Sequence, residues 1–377
     1  MRLPKKRGVK RGGQGALNSL LPLLLPAARV KINSSQAETL QGAQWVDLAR
    51  RRCLAPAFYS YLRQGEHWDM LPEGVQENLE VAYCENLAST MARETALTAI
   101  LEVFKTMGTV PVLLKGLAFA TELYPDPAAR LAGDVDLLIT PELKEEVIRR
   151  VEKAGFRLVS HPPTPPGKFK RLLRRAADKR AGAPAHDGDG HEDDTEAVFM
   201  TRVADSDIMI EIHSYLINLR AGGGKARVFR SRDEGLPASR LLQLPAGEVR
   251  VLDYQTAFLH ALRHIALHHR LIGLRWHHDL ALMLVGWEKF LDAGQIRERC
   301  RELNSEKILN VELAILEDLF GPGIFSETGR AGWTAGTLPW EYPLYNHVAR
   351  GGKRTPLREL VRTLMAPRWR EQWQTLA

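Results

Sequence analysis

Two aspartates, Asp134 and Asp136, stand two positions apart in Gly133-Asp134-Val135-Asp136, at the head of the apolar run DVDLLIT. Side chains alternate along a strand, so on a strand both carboxylates share one face and Val135 takes the other. Carboxylates placed side by side repel each other unless one is protonated or a cation bridges them, and hard oxygen ligands of this kind suit Mg²⁺ or Mn²⁺. Taken alone, Asp-x-Asp is common and reads more readily as a strand end with solvated acids. A later run, IMIEIHSYL, repeats the geometry: Glu211 and His213 share a face while Ile210 and Ile212 turn towards a core. If the two strands are neighbours, Asp134, Asp136 and Glu211 can hold two metals for in-line phosphoryl chemistry, with Glu211 as ligand, general base or both. Alone, this run also reads as an amphipathic edge strand.

Lys115-Gly116 closes the apolar run VPVLL and opens a helical segment, LAFATELY, so backbone amides and a cation can meet a polyphosphate there. The same pair also reads as a tight turn with a surface lysine. Arg130, four residues before Asp134, can neutralise phosphate or pair with an acid. His260, His264 and His268 fall on one helical face, with His269, His277 and His278 close by. No cysteine or carboxylate sits at ligand spacing within that stripe, so packing or acceptor contacts are expected there, not zinc. Asp279 can orient one of these histidines or pair with Arg275. His186 and His191 lie in an acidic stretch and read as solvated.

Positioning these groups requires a particular series of elements. Residues 16–108 have helical periodicity, with Trp45, Leu48, Ala49 and Cys53, then Leu79, Ala82, Leu87, Met91, Ile100, Val103 and Phe104, at three- and four-residue steps, and Gly108 as a stop. Val110–Leu114 reads as a buried strand and Asp134–Thr140 as a second. Thr140-Pro141 is expected to start a helix that ends at Gly155. FRLVS, AVFMTRV and DIMIEIHSYL are expected to be further strands. From Asp253, a good N-cap, the chain turns helical to its end. This divides it into a disordered basic tail (1–15), a helical region (16–108), an α/β core (109–250) with a flexible insertion (161–196), and a C-terminal helical domain (251–377). The stretch LRELVRTLMAPRWREQWQTL, with Arg358, Arg362, Arg368, Arg370, Trp369 and Trp373, reads as a helix packed on that domain with a solvated basic face.

Charge and cysteine usage narrow the classes. Of the formal net charge of +7, six come from Arg2, Lys5, Lys6, Arg7, Lys10 and Arg11, so the rest of the chain is near neutrality and a nucleic-acid partner is not expected. Only 3 cysteines occur, with no C-x-x-C pairing, which excludes a disulfide framework and points to a reducing cytoplasm. The apolar stretch ALNSLLPLLLPAARV is interrupted by Pro22 and Pro26 and reads as the first helix of the folded part, not as a secretory segment. No run is long enough to span a membrane.

Taken in order, a strand, Lys115-Gly116, a helix, Arg130, Gly133-Asp134-x-Asp136 on a strand and Glu211 on a later strand resemble the nucleotidyltransferase superfamily with the DNA polymerase β-type palm. The likeness is to its branch of uncharacterised bacterial nucleotidyltransferases, and it runs through QWVDLARRRCLAPAFYSYL, VPVLLKGLAFATELY, ARLAGDVDLLIT, IMIEIHSYL and LRHIALHHRLIGLRWHHDLALML. The resemblance implies an α+β fold: a small mixed sheet, the palm, flanked by N- and C-terminal helical regions. It implies that Asp134 and Asp136 bind catalytic Mg²⁺ or Mn²⁺, that Glu211 is the third carboxylate, and that the Gly116 turn holds the phosphates of a nucleoside triphosphate, ATP being the expected donor. Lys115, Arg130, Gly133 and His213 are the neighbours expected on the nucleotide side. The acceptor would be a hydroxyl on a small molecule, a sugar or a protein. Where the superfamily more often has Gly-Ser after its first strand, this chain has Gly116-Leu117. That departure supports an alternative, a palm that binds and regulates without turnover.

Overall fold

The computed structural model describes residues 12–26, 32–65, 67–159, 196–214, 216, 237–321, 324–325, 330–333, 335–336, 338–339 and 341–350. Three expected features lie outside them: the basic tail up to residue 11, the insertion up to residue 195 with His186 and His191, and the stretch from residue 351 onward. Among the described residues no helix is long and apolar enough to cross a membrane.

The N-terminal helices are α1 (Gly12–Leu20), α2 (Ser34–Leu40), α3 (Gln44–Arg51), α4 (Ala55–Gln64) and the long α5 (Glu73–Thr106). Helix α1 begins inside the segment expected to be tail, where Gln14 donates to Asn18 one turn on. Asn33 and Gln36 form a reciprocal capping box that starts α2. Helix α5 ends just before Gly108, whose φ of +65° suits a residue without a Cβ. Its buried face differs from the apolar reading. Leu87 and Met91 face outward, 38% and 59% exposed, while Asn86, Thr90 and Arg93 are turned inward. Side-chain hydrogen bonds make that possible: Asn86 donates to the Ala128 carbonyl at 2.6 Å, and Arg93 donates to Ser89 Oγ and Thr90 Oγ1.

Seven strands form one mixed sheet: β1 (Val112–Leu114), β2 (Asp134–Leu138), β3 (Arg157–Leu158), β4 (Glu196–Val203), β5 (Ser206–His213), β6 (Ser239–Leu244) and β7 (Gly247–Leu252), in the order β3-β4-β5-β2-β1-β7-β6. The hairpin β6-β7 was not anticipated. Adjacent leucines at 241 and 242 break the period of two, and Leu241 is 54% exposed, so the segment carries no clean alternation. Its strand β7 pairs in parallel with β1 and extends the sheet beyond the expected strands.

Helix α6 (Gly116–Leu123) connects β1 to β2, and α7 (Lys144–Lys153) follows β2 after a 3-10 turn, Pro141–Leu143, that Thr140 precedes without a side-chain cap. On the C-terminal side lie α8 (Tyr254–Arg263), α9 (Leu274–Gly286), α10 (Ala293–Glu302), α11 (Glu306–Phe320), α12 (Arg330–Trp333) and α13 (Tyr342–Ala349). Asp253 caps α8 as expected, accepting from the Gln255 and Thr256 amides. Straight after α8, residues His264–His268 widen into a π-type turn, so the histidine stripe does not keep a 3.6-residue period. One continuous apolar cluster runs through the N-terminal helices, the inner face of the sheet (Val135, Leu137, Ile210 and Ile212) and α8, α9 and α11.

Candidate active site

The site starts from strand register. Strands β2 and β5 are parallel neighbours with Asp136 opposite Glu211 and Leu138 opposite His213, which puts the acidic residues of both strands on one face. Antiparallel β1 places Leu114 opposite Asp136, so the residue after it, Lys115, leaves the sheet beside that carboxylate. Its Nζ lies 3.2 Å from Asp136 Oδ1. The turn that achieves this is tight: Lys115 has φ +41° and Gly116 φ +26°, and a Cβ on Gly116 would sit 3.3 Å from the Asp134 carbonyl. A non-glycine residue at such an angle carries local strain, here at the mouth of the carboxylate cluster.

Asp136 is 2% exposed. Besides Lys115 it meets His213 Nε2 at 2.9 Å, and that same nitrogen lies 3.6 Å from Glu211 Oε2. Burial would raise the Asp136 pKa, but Lys115 and the His213 hydrogen bond outweigh it and hold the carboxyl well below the usual range. Asp134 is different. It is half-buried, makes no hydrogen bond or ion pair among the described residues, and has its pKa raised by burial and by the Asp136 charge, against the opposing pull of Lys115, Arg275 and Arg130. One ligand atom each from Asp136, Glu211 and His213 falls within 4.8 Å of the others. Two carboxylates and an imidazole at that separation, with a further carboxylate two residues away that has no partner among the described residues, fit a divalent cation.

Arg130 is only 1% exposed, and its guanidinium is fully engaged inside the protein. Nε and Nη2 donate to Asp279 at 2.9 and 2.7 Å, and Nη1 donates to the Gly116 carbonyl at 3.2 Å. Burial works against its charge, and Asp279 overcomes that and raises its pKa above the ordinary value. Of its two expected roles, the structure shows the acid partner. Through Gly116 it also clamps the Lys115-Gly116 turn to α9. Tyr124 donates to the same Asp279 at 2.8 Å, while Arg275 donates instead to the Leu131 carbonyl at 2.5 Å. Gly133 is exposed with open space around it, and Leu117 is buried, so no side-chain hydroxyl follows the Gly116 turn.

Several residues beside the carboxylate cluster were given other roles, or none, in the sequence. His260 is 3% exposed, its Nδ1 has no hydrogen-bond partner, and burial together with Lys115 pushes its pKa well down. His264 Nε2 sits 2.9 Å from His269 Nε2, and His269 stacks on Trp276 at 4.5 Å. The histidine-rich stretch therefore borders the Lys115 side of the carboxylate cluster. Arg93 and Arg275 border the Asp134 side, since the charges of both act with that of Asp134. The polar run Asn86, Thr90, Arg93 on an inward helical stripe was the available signal for Arg93. For Arg275 there was none.

A mixed sheet with carboxylates facing each other across two parallel strands, and a Lys-Gly turn running into a helix beside them, are consistent with a nucleotidyltransferase fold. A family model described as an uncharacterised nucleotidyltransferase matches residues 41–321, and the chain belongs to that family. It is a transferase of nucleotidyl groups. A search of curated proteins and one of solved structures each found no match.

Proposed function

We propose that the chain transfers AMP from ATP to a hydroxyl of a small molecule, sugar or protein side chain and releases pyrophosphate. The observation that carries this reading is the register of β2 against β5, which sets Glu211 beside Asp136 and leaves Asp134 next to the Gly116 turn. Asp134, Asp136 and Glu211, with His213, are the residues that would hold Mg²⁺ or Mn²⁺, an ion that when bound neutralises the phosphate charge and lowers the pKa of the attacking hydroxyl. The α6 N-terminus and Gly116 amide receive the phosphates. Lys115 bridges from Asp136 towards them. The acceptor oxygen forms a bond to the α-phosphorus as the bond from that phosphorus to the α,β-bridging oxygen breaks. The acceptor proton passes to Glu211, and the electron pair leaves with pyrophosphate. In this reading the sheet with its turn forms the donor side, and α8 and α9 form the wall on which the acceptor rests.

Calorimetric titration of ATP, GTP, CTP and UTP with Mn²⁺ tests the proposal, comparing wild type with Asp134→Asn/Asp136→Asn. Saturable binding of ATP, strongest of the four and lost in the double variant, is expected. Equal binding in both proteins would overturn the site, and preference for another triphosphate would overturn the donor.

A further inference from the structure

Among the described residues Arg93 makes no ion pair. It lies on α5, a helix that packs on β4, β5 and β2, is 2% exposed, and among the described residues donates to two hydroxyls of its own helix, Ser89 at 2.7 Å and Thr90 at 3.1 Å. Its Nε is buried with no partner. Burying a guanidinium without a carboxylate is costly, and such groups are ordinarily paired. Burial pushes its pKa down to about 10, with Asp134 working against that and Arg130 and Arg275 adding to it.

Arg275, in the first turn of α9, repeats the condition. Its Nη1 meets a backbone carbonyl, Leu131, its Nε is also buried without a partner, and its guanidinium lies 4.3 Å from the centre of the Trp276 ring. Among the described residues no carboxylate lies within ion-pair distance of either arginine. Arg130 cannot satisfy the local charge balance, because Asp279 already consumes it. The Asp134 carboxylate acts with this group of guanidiniums, alongside Glu94 on Arg93 and Asp279 on Arg275, and among the described residues it makes no ion pair of its own. Arg275, Trp276 and Asp134 are all half-buried, so the cluster reaches solvent on that side.

We propose that Arg93 and Arg275 form an oxyanion subsite beside Asp134, separate from the Gly116 turn, that receives a phosphate-type group. A planar fork of donors suits a phosphate, and two guanidiniums on two different helices, each with a buried Nε lacking a hydrogen-bond partner and no ion pair among the described residues, form beside one carboxylate a receptor for an anion that arrives with its own cation. The group is either the far end of the donor triphosphate or a phosphate on the acceptor. The first source rests on the nucleotidyl-transfer reading above, and the second deepens it by naming an anionic acceptor.

The first measurement uses inorganic pyrophosphate with EDTA present, followed calorimetrically and by Trp276 fluorescence, on wild type, Arg93→Lys, Arg275→Met and Asp136→Asn. Affinity should fall about tenfold in each arginine variant, the loss of one charged fork, and persist in Asp136→Asn. Pyrophosphate binding that is absent from the wild type, or equal in the wild type and both arginine variants, overturns the subsite. Arg275→Met lies on a half-buried position and keeps the test available if the Arg93 variant does not fold, as circular dichroism would show.

The sources separate with Mn²⁺ present. If the subsite takes the donor tail, Arg275→Met weakens ATP but not AMP. If it takes an acceptor phosphate, ATP affinity is unchanged, and inorganic phosphate binds the ATP-loaded wild type but not the ATP-loaded variant. Failure of both patterns overturns the proposal. ATP binding with Mn²⁺ that survives Asp136→Asn marks the separate failure of the transfer reading.

Discussion

Two buried acid–base clusters lie within the same fold, and they are built to opposite specifications. Around Asp279 every charge is closed: Arg130 engages it through two nitrogens, Tyr124 donates to it, and His278, within 3.2 Å of the Tyr124 hydroxyl, donates from Nε2 to the Leu24 carbonyl. Around Asp136 the closure stops short. Lys115 and His213 satisfy that carboxylate, yet among the described residues the Asp134 carboxylate beside it has no direct partner and Arg93 has no ion-paired acid. A closed network fixes three distant pieces of chain, the Gly116 turn, α9 and the segment at Leu24, in one arrangement. An incomplete one holds unspent electrostatic interactions for a ligand that brings the missing charges.

The sharpest way to break this contrast is to remove one acid from each cluster. Asp136→Asn should lower nucleotidyl transfer by about 10⁴-fold, an effect of about 5 kcal/mol on the transition state, with the fold retained. Asp279→Asn should do the reverse. It strands the buried Arg130 charge and should cost about 3–5 kcal/mol of stability in denaturant unfolding, while the folded fraction keeps its transfer activity at permissive temperature. If Asp279→Asn proves neutral to stability and lethal to transfer, the two clusters have been assigned the wrong way round.

The pH dependence of stability sharpens the same comparison. Burial, opposed by the Leu24 hydrogen bond and Asp279, depresses the His278 pKa to about 4. The unfolded chain therefore takes up a proton below about pH 6.5 that the folded chain refuses until about 4. Stability falls as the pH drops through that window, by up to about 3 kcal/mol for this one residue. His269, also depressed to about 4 chiefly by burial, adds to the fall. Asp136 contributes in a different window. Its folded pKa is depressed, so its stabilisation is complete above the ordinary carboxylate pKa and disappears only at more acid pH. Denaturant midpoints from pH 7 to 5 should fall less steeply in His278→Gln than in wild type, by close to one proton, whereas Asp136→Asn should leave the slope unchanged in that range.

The two clusters also differ in how much of them could be read from sequence. Asp134, Asp136, Glu211 and His213 were legible because strand alternation alone puts each pair on one face, and hydrophobic neighbours mark both runs as strands. Their adjacency was not, since β2–β5 pairing is a tertiary fact joining segments on either side of the stretch from 160 to 195. The Arg130–Asp279 pair spans 149 positions and leaves no local trace. Arg93 was hidden by a competing pattern: Leu87 and Met91 imitate an inward stripe, and the polar residues beside them claim the buried face by hydrogen bonding. The β6-β7 hairpin was lost to a broken alternation.

The smallest expected effect addresses the turn that joins the two clusters, because Arg130 reaches from Asp279 to the Gly116 carbonyl. Gly116→Ala forces a Cβ onto a φ of +26° and to 3.3 Å from the Asp134 carbonyl, at a cost of about 1–2 kcal/mol. Two ways of absorbing that cost are distinguishable. If the Arg130 clamp is stiff, the turn cannot relax, so the cost appears as lost stability and ATP affinity changes little. If the turn moves instead, Asp134 moves with it, stability is nearly intact and affinity for ATP with Mn²⁺ falls by about tenfold. The closed network, with both Arg130 arms fixed in the interior, predicts the first outcome. Paired thermal unfolding and calorimetry on Gly116→Ala decide between them, and the second outcome would show that the Asp279 cluster does not hold the site rigid.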